Sequence, residues 1–238
     1  MLLKNKVAVI TGGGRGIGRS IAMYFAREGA DVVLIARTSK QINEVALEIH
    51  NLGRRSLAVN ADISNEREVS DTFTQIHDRF SGIDILVNNA GVEFKNPFSE
   101  MSMDDWDQTM NINARGTVLC TKAVLPGMIK RKEGNIINIA SGAGLRGLPG
   151  SAAYGASKAA IIALSFALAD EIRDQGIRVN VICPGLIKTG MVDSSTILGK
   201  GLNVLLPDDV AGTAVFVASE LSGKITGQVF SVRNSNRW

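Results

Sequence analysis

"VAVITGGGRGIGRSIA", residues 7–22, decides the fold. It reads as a strand, a glycine-rich turn and the start of a helix. Gly12, Gly16 and Gly18 suit a turn that brings backbone close to a pyrophosphate, with the helix N-terminus supplying N–H groups and positive potential. Tight strand–helix turns use glycine for steric reasons too, so the pattern gains meaning only from its context. Here it follows the first strand-like run and opens a helix of adequate length, which points to a dinucleotide site.

Outward from that turn the chain repeats its plan. Strand-like runs occupy 6–11, 31–36, 55–60, 83–88, 135–140, 178–183 and 228–232. Helical patterns fall at about 17–29, 39–51, 65–80, 103–130, 154–175 and 208–219. Alternation of this kind predicts an α/β fold with a parallel sheet covered on both faces. The strand runs are apolar throughout, as strands buried on both faces should be. With no linker or repeat, residues 1–238 are expected to form a single doubly wound domain.

The second strand-like run ends in "LIART", Ala36 followed by Arg37. NAD-binding domains place an acidic residue there for the ribose 2′-hydroxyl. Without one, nothing repels a 2′-phosphate, and Arg37 together with Arg15 can pair with it bidentately. NADP(H) is therefore favoured over NAD(H); solvated surface arginines are the plain alternative.

"SAAYGASKAA", residues 151–160, sets Tyr154 four residues before Lys158 among small side chains. A ketone that accepts a hydride becomes an alkoxide and needs a proton from a positioned acid. Tyrosine, with a pKa near 10, needs its phenolate stabilised to act in both directions, and an ammonium at i+4 can supply that. Ser141 ends the fifth strand-like run, where ligands bind in such sheets, and can hold a carbonyl oxygen.

Taken in order, these motifs resemble the short-chain dehydrogenase/reductase family over nearly the whole chain. The turn has that family's spacing, Thr11-Gly12-x-x-x-Gly16-x-Gly18. "NNAG" supplies Asn88 to Gly91, "MNINARG" carries Asn113, "NIAS" ends in Ser141, and Tyr154 with Lys158 forms Y-x-x-x-K. The resemblance implies a Rossmann-type domain with a seven-stranded parallel sheet in the order 3-2-1-4-5-6-7. It also implies a catalytic tetrad of Asn113, Ser141, Tyr154 and Lys158, with Asn113 holding a proton-relaying water. Cofactor contacts would come from Gly12, Arg15, Gly16, Ile17, Gly18, Arg37, Asp62, Ile63, Asn89, Ala90, Gly91, Tyr154, Lys158, Pro184, Gly185, Ile187 and Thr189. Among these, Asp62 would meet the adenine, Asn89 the ribose side, and Ile187 with Thr189 the carboxamide.

Within the family the chain looks most like 3-oxoacyl-(acyl-carrier-protein) reductases, so NADPH-dependent reduction of a 3-oxoacyl thioester is expected. The alternatives are a dehydrogenase of a sugar, polyol or hydroxysteroid, and a cofactor-binding regulatory protein without turnover. Two departures bear on the substrate. Only 17 residues separate Thr189 from Pro207, a short substrate lid at about 186–207, and the chain ends in "RNSNRW" where relatives usually continue with Asp-Gly-Gly.

Composition excludes other classes. A net charge of +3 argues for neither nucleic acid nor a membrane surface. The longest apolar run, 159–169, is shorter than a membrane span, and the N-terminus does not read as a signal peptide. A cytoplasmic protein is expected. Cys120 and Cys183 sit in apolar settings without metal-ligand spacing, and read as buried thiols. His50 and His77 read as surface residues. Lys130, Arg131 and Lys132 end a helix, where the dipole favours cations; relatives that use a carrier protein place basic residues there, while Gln175 is neutral where some of them are basic. The 154–175 helix carries Ile161, Ile162, Leu164, Phe166 and Leu168 on several faces, so a homo-oligomer, dimer or tetramer, is expected.

Overall fold

The computed structural model describes residues 1–188 and 204–234. The chain runs β1 (Val7–Thr11), α1 (Gly16–Arg27), β2 (Asp31–Ala36), α2 (Ser39–Asn51), β3 (Ser56–Asn60), α3 (Glu66–Arg79) and β4 (Ile85–Asn88). It continues through α4 (Met103–Thr109), a π-helical turn (Met110–Arg115), α5 (Gly116–Arg131), β5 (Gly134–Ile139), α6 (Gly142–Arg146), α7 (Ala152–Glu171) and β6 (Ile177–Pro184). After residue 203 come α8 (Pro207–Ala218) and β7 (Val229–Val232).

The seven strands form one sheet in the order β3-β2-β1-β4-β5-β6-β7, with every pairing parallel. The fold class and strand order are those expected. The chain builds outward from β1 through β2 to β3, then returns to the far side of β1 as β4. That reversal opens a crevice at the carboxyl ends of β1 and β4, where ligands bind in open α/β sheets.

Period-2 side-chain alternation explains the uniformly apolar strands. Ala8 and Ile10 of β1 and Val32 and Leu34 of β2 face one layer, with Ile21 and Phe25 of α1, Ile42 and Ile49 of α2, and Val210 and Val217 of α8. Val7, Val9, Val33 and Ile35 face the other, with Phe73 and Ile76 of α3 and Cys120, Val124 and Met128 of α5. Both layers are apolar, so a polar side chain that enters either strand face costs free energy unless it is hydrogen-bonded.

Where asparagines enter, their amide nitrogens are paired, while Asn88 Oδ1 and Asn135 Oδ1 are left without a hydrogen bond. On β4 and β5, Asn88 Nδ2 donates to Thr121 Oγ1 at 3.1 Å and to Asn138 Oδ1 at 2.9 Å. Asn138 Nδ2 in turn donates to Ser165 Oγ at 2.8 Å. This chain of bonds ties the sheet to α5 and α7 beneath the crevice. On β6, Arg178 donates to the last carbonyls of α8, Val217 O at 2.9 Å among them, where the helix dipole favours a cation.

Two helical expectations need correction. The pattern at 103–130 is not one α-helix: α4 and α5 flank a π-turn, because Asn113 there bonds outward. The pattern at 154–175 closes at Glu171; a 3-10 turn follows and Gly176 takes φ +70°. α7 is long and apolar enough, by length and composition, to cross a bilayer, with a mean hydropathy of 1.5. That composition belongs to a core helix, since half of the helix is buried: Ile161 and Ile162 face inward while Phe166 stays 43% exposed. His50 and His77 are exposed, and both cysteines are buried free thiols.

Candidate active site

The crevice is a cleft of about 310 Å³ that runs from the glycine turn to α7. Its floor at one end is the turn itself. Gly12 and Gly16 adopt φ of +66° and +54°, which L side chains rarely take. At Gly18, a Cβ would lie 2.3 Å from Gly12 O, so only glycine lets α1 start this close to the strand end. Thr11, the first residue of the turn motif, braces the turn: its Oγ1 accepts from the N–H groups of Asn89 and Ala90, each at 3.0 Å. Asn89 Nδ2 donates to Thr11 O at 2.9 Å and Gly12 O at 3.2 Å. Its amide nitrogen therefore holds the turn in shape, and Asn89 lines the cleft.

At the outer corner, Arg15 and Arg37 both line the cleft, as does Asp62. Arg37 is 59% exposed and its Nη1 lies 3.7 Å from Asp62 Oδ2. Asp62 is fixed from its other oxygen, which accepts from the Ser64 N–H and hydroxyl. No carboxylate stands at the end of β2. The α1 N-terminus, with no acidic residue in its first turn, points at the same cleft. This donor set, two guanidiniums with free helical N–H groups, fits a phosphorylated dinucleotide.

At the inner end lie Ser141, Tyr154 and Lys158, all lining the cleft. Ser141 caps α6, its Oγ accepting from the Ala143 N–H at 3.1 Å, and hydrogen-bonds the Tyr154 phenol. Gly144, on α6, lets that short helix rest on α7, since a Cβ there would lie 2.7 Å from the Lys158 carbonyl carbon. Lys158 is 3% exposed; its Nζ donates to Ile139 O at 2.9 Å and lies 5.6 Å from the Tyr154 ring centroid. Burial pushes the Tyr154 phenol up to about 12, with the Ser141 hydrogen bond pulling the other way. Burial pulls the Lys158 ammonium down to about 8. The ammonium faces the Tyr154 ring and Ile139 O, and desolvation is the largest cause of both shifts.

Asn113 lies behind them, fully buried at the centre of the π-turn. Its Oδ1 accepts from the Val92 N–H at 2.8 Å, and its Nδ2 donates to Val92 O at 2.9 Å and Ser157 Oγ at 3.0 Å. The amide thus clamps the loop after β4 to α7. Gly91 keeps the space between the two clear, since a Cβ there would lie 3.1 Å from Asn113 Oδ1 and 3.4 Å from Lys158 Nζ.

Of the other expected contacts, Ile17, Ile63, Ala90, Gly91 and Pro184 line the cleft. Gly185 packs outside it, its N–H donating to Val232 O at 2.8 Å. The Ile187 side chain is 4% exposed in the core layer of α1 and α8, and its strand bridge is to Leu205. Its side chain therefore does not face the cleft. Thr189, most of the expected lid and the terminal 235–238 lie outside the described residues. The structure adds Val92, Ile112, Thr38 and Gln41 to the lining. Nothing in their residue types marked them.

A family model described as short chain dehydrogenase matches residues 6–197. A curated relative, the (2S)-[(R)-hydroxy(phenyl)methyl]succinyl-CoA dehydrogenase subunit BbsD of Thauera aromatica, is 41% identical, covering 98% of this chain and 96% of its own. The 3-oxoacyl-[acyl-carrier-protein] reductase of a Synechocystis species is 39% identical, with 97% and 96% covered. Among solved structures, a short-chain alcohol dehydrogenase of Sinorhizobium meliloti superposes with a TM-score of 0.91 at 33% identity, covering 97% of this chain and 95% of that one. Levodione reductase does so at 0.91 and 29%, with 97% and 96% covered. The chain belongs to the short-chain dehydrogenase family, and is an oxidoreductase of CH–OH and C=O groups.

Proposed function

We propose that the chain reduces a carbonyl group with NADPH, and that its substrate is a 3-oxoacyl thioester. The observation that carries this reading is the meeting, in one cleft, of a proton-bearing Tyr154 with Ser141 and Lys158 at one end and Arg15 with Arg37 at the other. Arg15, Arg37, the α1 N-terminus, Asp62 and Lys158 are the groups that would hold the cofactor. When bound, it supplies a hydride to the carbonyl carbon.

The protein's part is to fix the oxygen and deliver the proton. Ser141 is placed to hydrogen-bond the carbonyl oxygen beside the phenol, which orients the carbon toward the cleft. Tyr154, held in its protonated form by burial, gives its proton to that oxygen as the alkoxide develops. Lys158, a buried cation one helical turn away, opposes the negative charge left on the phenol. Asn113 keeps the Val92 loop and α7 at fixed separation, and so acts as a positioning residue.

The thioester is supported by similarity to relatives whose names carry an acyl group on coenzyme A or on a carrier protein. The first of these favours a second reading, oxidation of a hydroxyacyl thioester by the same residues run backward. NADPH absorbance followed with a short 3-oxoacyl thioester tests the first reading, with Tyr154→Phe and NADH in parallel. Turnover with NADPH that falls by about 10²–10⁴ in the variant and is weak with NADH is expected. Turnover only in the oxidative direction with NAD would overturn it.

A further inference from the structure

Glu93 has no part in the mechanism above, yet its side chain is a nearly buried carboxylate one residue beyond the cleft-lining Val92. It follows Val92, which lines the cleft and whose N–H and C=O are both fixed by Asn113. Its side chain is 10% exposed. Its Oε1 accepts from the Ser151 hydroxyl at 2.7 Å, three residues before Tyr154, and Ser151 is itself 2% exposed. Ser151 thereby turns its hydroxyl toward Glu93 and gives no side-chain cap to α7, whose first turn holds no acidic residue. The negative charge acts on the Tyr154 phenol, raising it, so the two groups share one field.

We propose that Glu93 is a specificity-determining residue: its carboxylate, held by Ser151 at the start of the helix that carries Tyr154 and by the Val92 clamp, makes the site reject carbonyl compounds that carry a negative charge next to the reacting carbon. The substrate class it admits is the neutral 3-oxoacyl derivative, thioester or ester, against the free 3-oxo acid. This rests on the carbonyl-reductase reading and deepens it.

Among the described residues, two cations stand near the pair. Lys95 Nζ stands 3.9 Å from Glu93 Oε2, but is 57% exposed and screened by water. Lys158 is tied to Ile139, and with Arg233 it acts on the Cys183 thiol. Two like charges within a few ångströms in a desolvated site repel by far more than they do in water. A carboxylate on the substrate, two bonds from the carbonyl carbon, meets that repulsion; an ester or thioester in its place does not. Glutamate rather than glutamine at 93 serves no packing need, since either fills the space and accepts from Ser151.

The test compares acetoacetate with ethyl acetoacetate, the same carbon skeleton with and without the charge, in the full-length protein and in Glu93→Gln. The ratio of kcat/KM for acid over ester is expected to rise about tenfold or more in the variant. A ratio unchanged within twofold overturns the proposal. A structural role for Glu93 would lower the melting temperature and depress both compounds alike, leaving the ratio where it was. Binding of the two compounds to the protein–NADP+ complex, which cannot reduce them, read by the shift in melting temperature, gives a ratio of affinities without turnover. If neither compound is reduced, the reductase reading falls on these ketones, while the binding ratio still decides for or against Glu93.

Discussion

Arg37 shows how one side chain can answer to two partners. Its guanidinium rests 3.7 Å from Asp62, a pair too exposed to contribute more than a fraction of a kcal/mol to stability. A dianionic 2′-phosphate, with three acceptor oxygens, is the stronger partner for a planar donor. Arg37→Ala is therefore expected to raise the KM for NADPH by about 10- to 100-fold, the equivalent of about 1.5–3 kcal/mol for a charged hydrogen bond, with the KM for NADH moved less than twofold. Steady-state kinetics with both cofactors checks this. Equal losses with both would make Arg37 a brace for Asp62 and remove the argument for NADPH.

Among the elements, the π-turn between α4 and α5 places Asn113. An extra residue in the turn frees backbone and side chain to bond sideways, and such bulges recur at functional positions. Here three bonds from one amide hold the loop carrying Val92 and the helix carrying Lys158. Asn113→Ala leaves the Val92 N–H and C=O and the Ser157 hydroxyl buried without that partner, at about 1–3 kcal/mol for each group that finds no other. A melting temperature lower by roughly 10 °C is expected, as about 3 kcal/mol translates at this chain length. kcat should fall with it, as the phenol and the loop lose their separation; an unchanged melting temperature would show the clamp to be idle. The sequence made the strand–helix series and the glycine turn legible because both rest on periodicity and local sterics. Gly12, Gly16 and Gly18 follow from backbone geometry alone. The π-turn did not show, because "MNINARG" has ordinary helical spacing and its shift comes from tertiary bonds to Val92 and Ser157. Glu93 was also silent: one acidic residue in a loop looks solvated until Ser151 is seen to cover it. For Ile187 the motif is legible in the sequence, while the direction of its side chain is set by packing against α1 and α8.

The whole molecule carries the energetic consequence of the buried lysine. Folding takes Lys158 from 10.5 to about 8, so between those values the unfolded chain binds a proton that the folded one releases. Stability then rises with pH across that window, and below about pH 8 the folded state bears the full penalty, on the order of 3 kcal/mol. Tyr154 runs the other way: its pKa is raised, so its contribution is complete below pH 10 and is lost as pH climbs toward 12. The thiols of Cys120 and Cys183, raised to about 12 and about 11, likewise subtract stability only above pH 9. Wild type and Lys158→Met share the Tyr154 and Cys120 contributions, and Cys183, which Lys158 also acts on, enters only above pH 9, so up to that pH the difference between their unfolding free energies isolates the lysine. That difference is expected to be flat from pH 6 to 8 and to move in favour of the wild type by about 3 kcal/mol by pH 10.5, as read from urea midpoints. Methionine leaves Ile139 O without its donor, which offsets the curves by a constant but cannot change their slope. Parallel curves through pH 8–10.5 would mean that the lysine keeps an ordinary affinity for its proton when buried. A curve of the expected shape, in a variant that has lost turnover, would show that the site holds its cation at the expense of the fold.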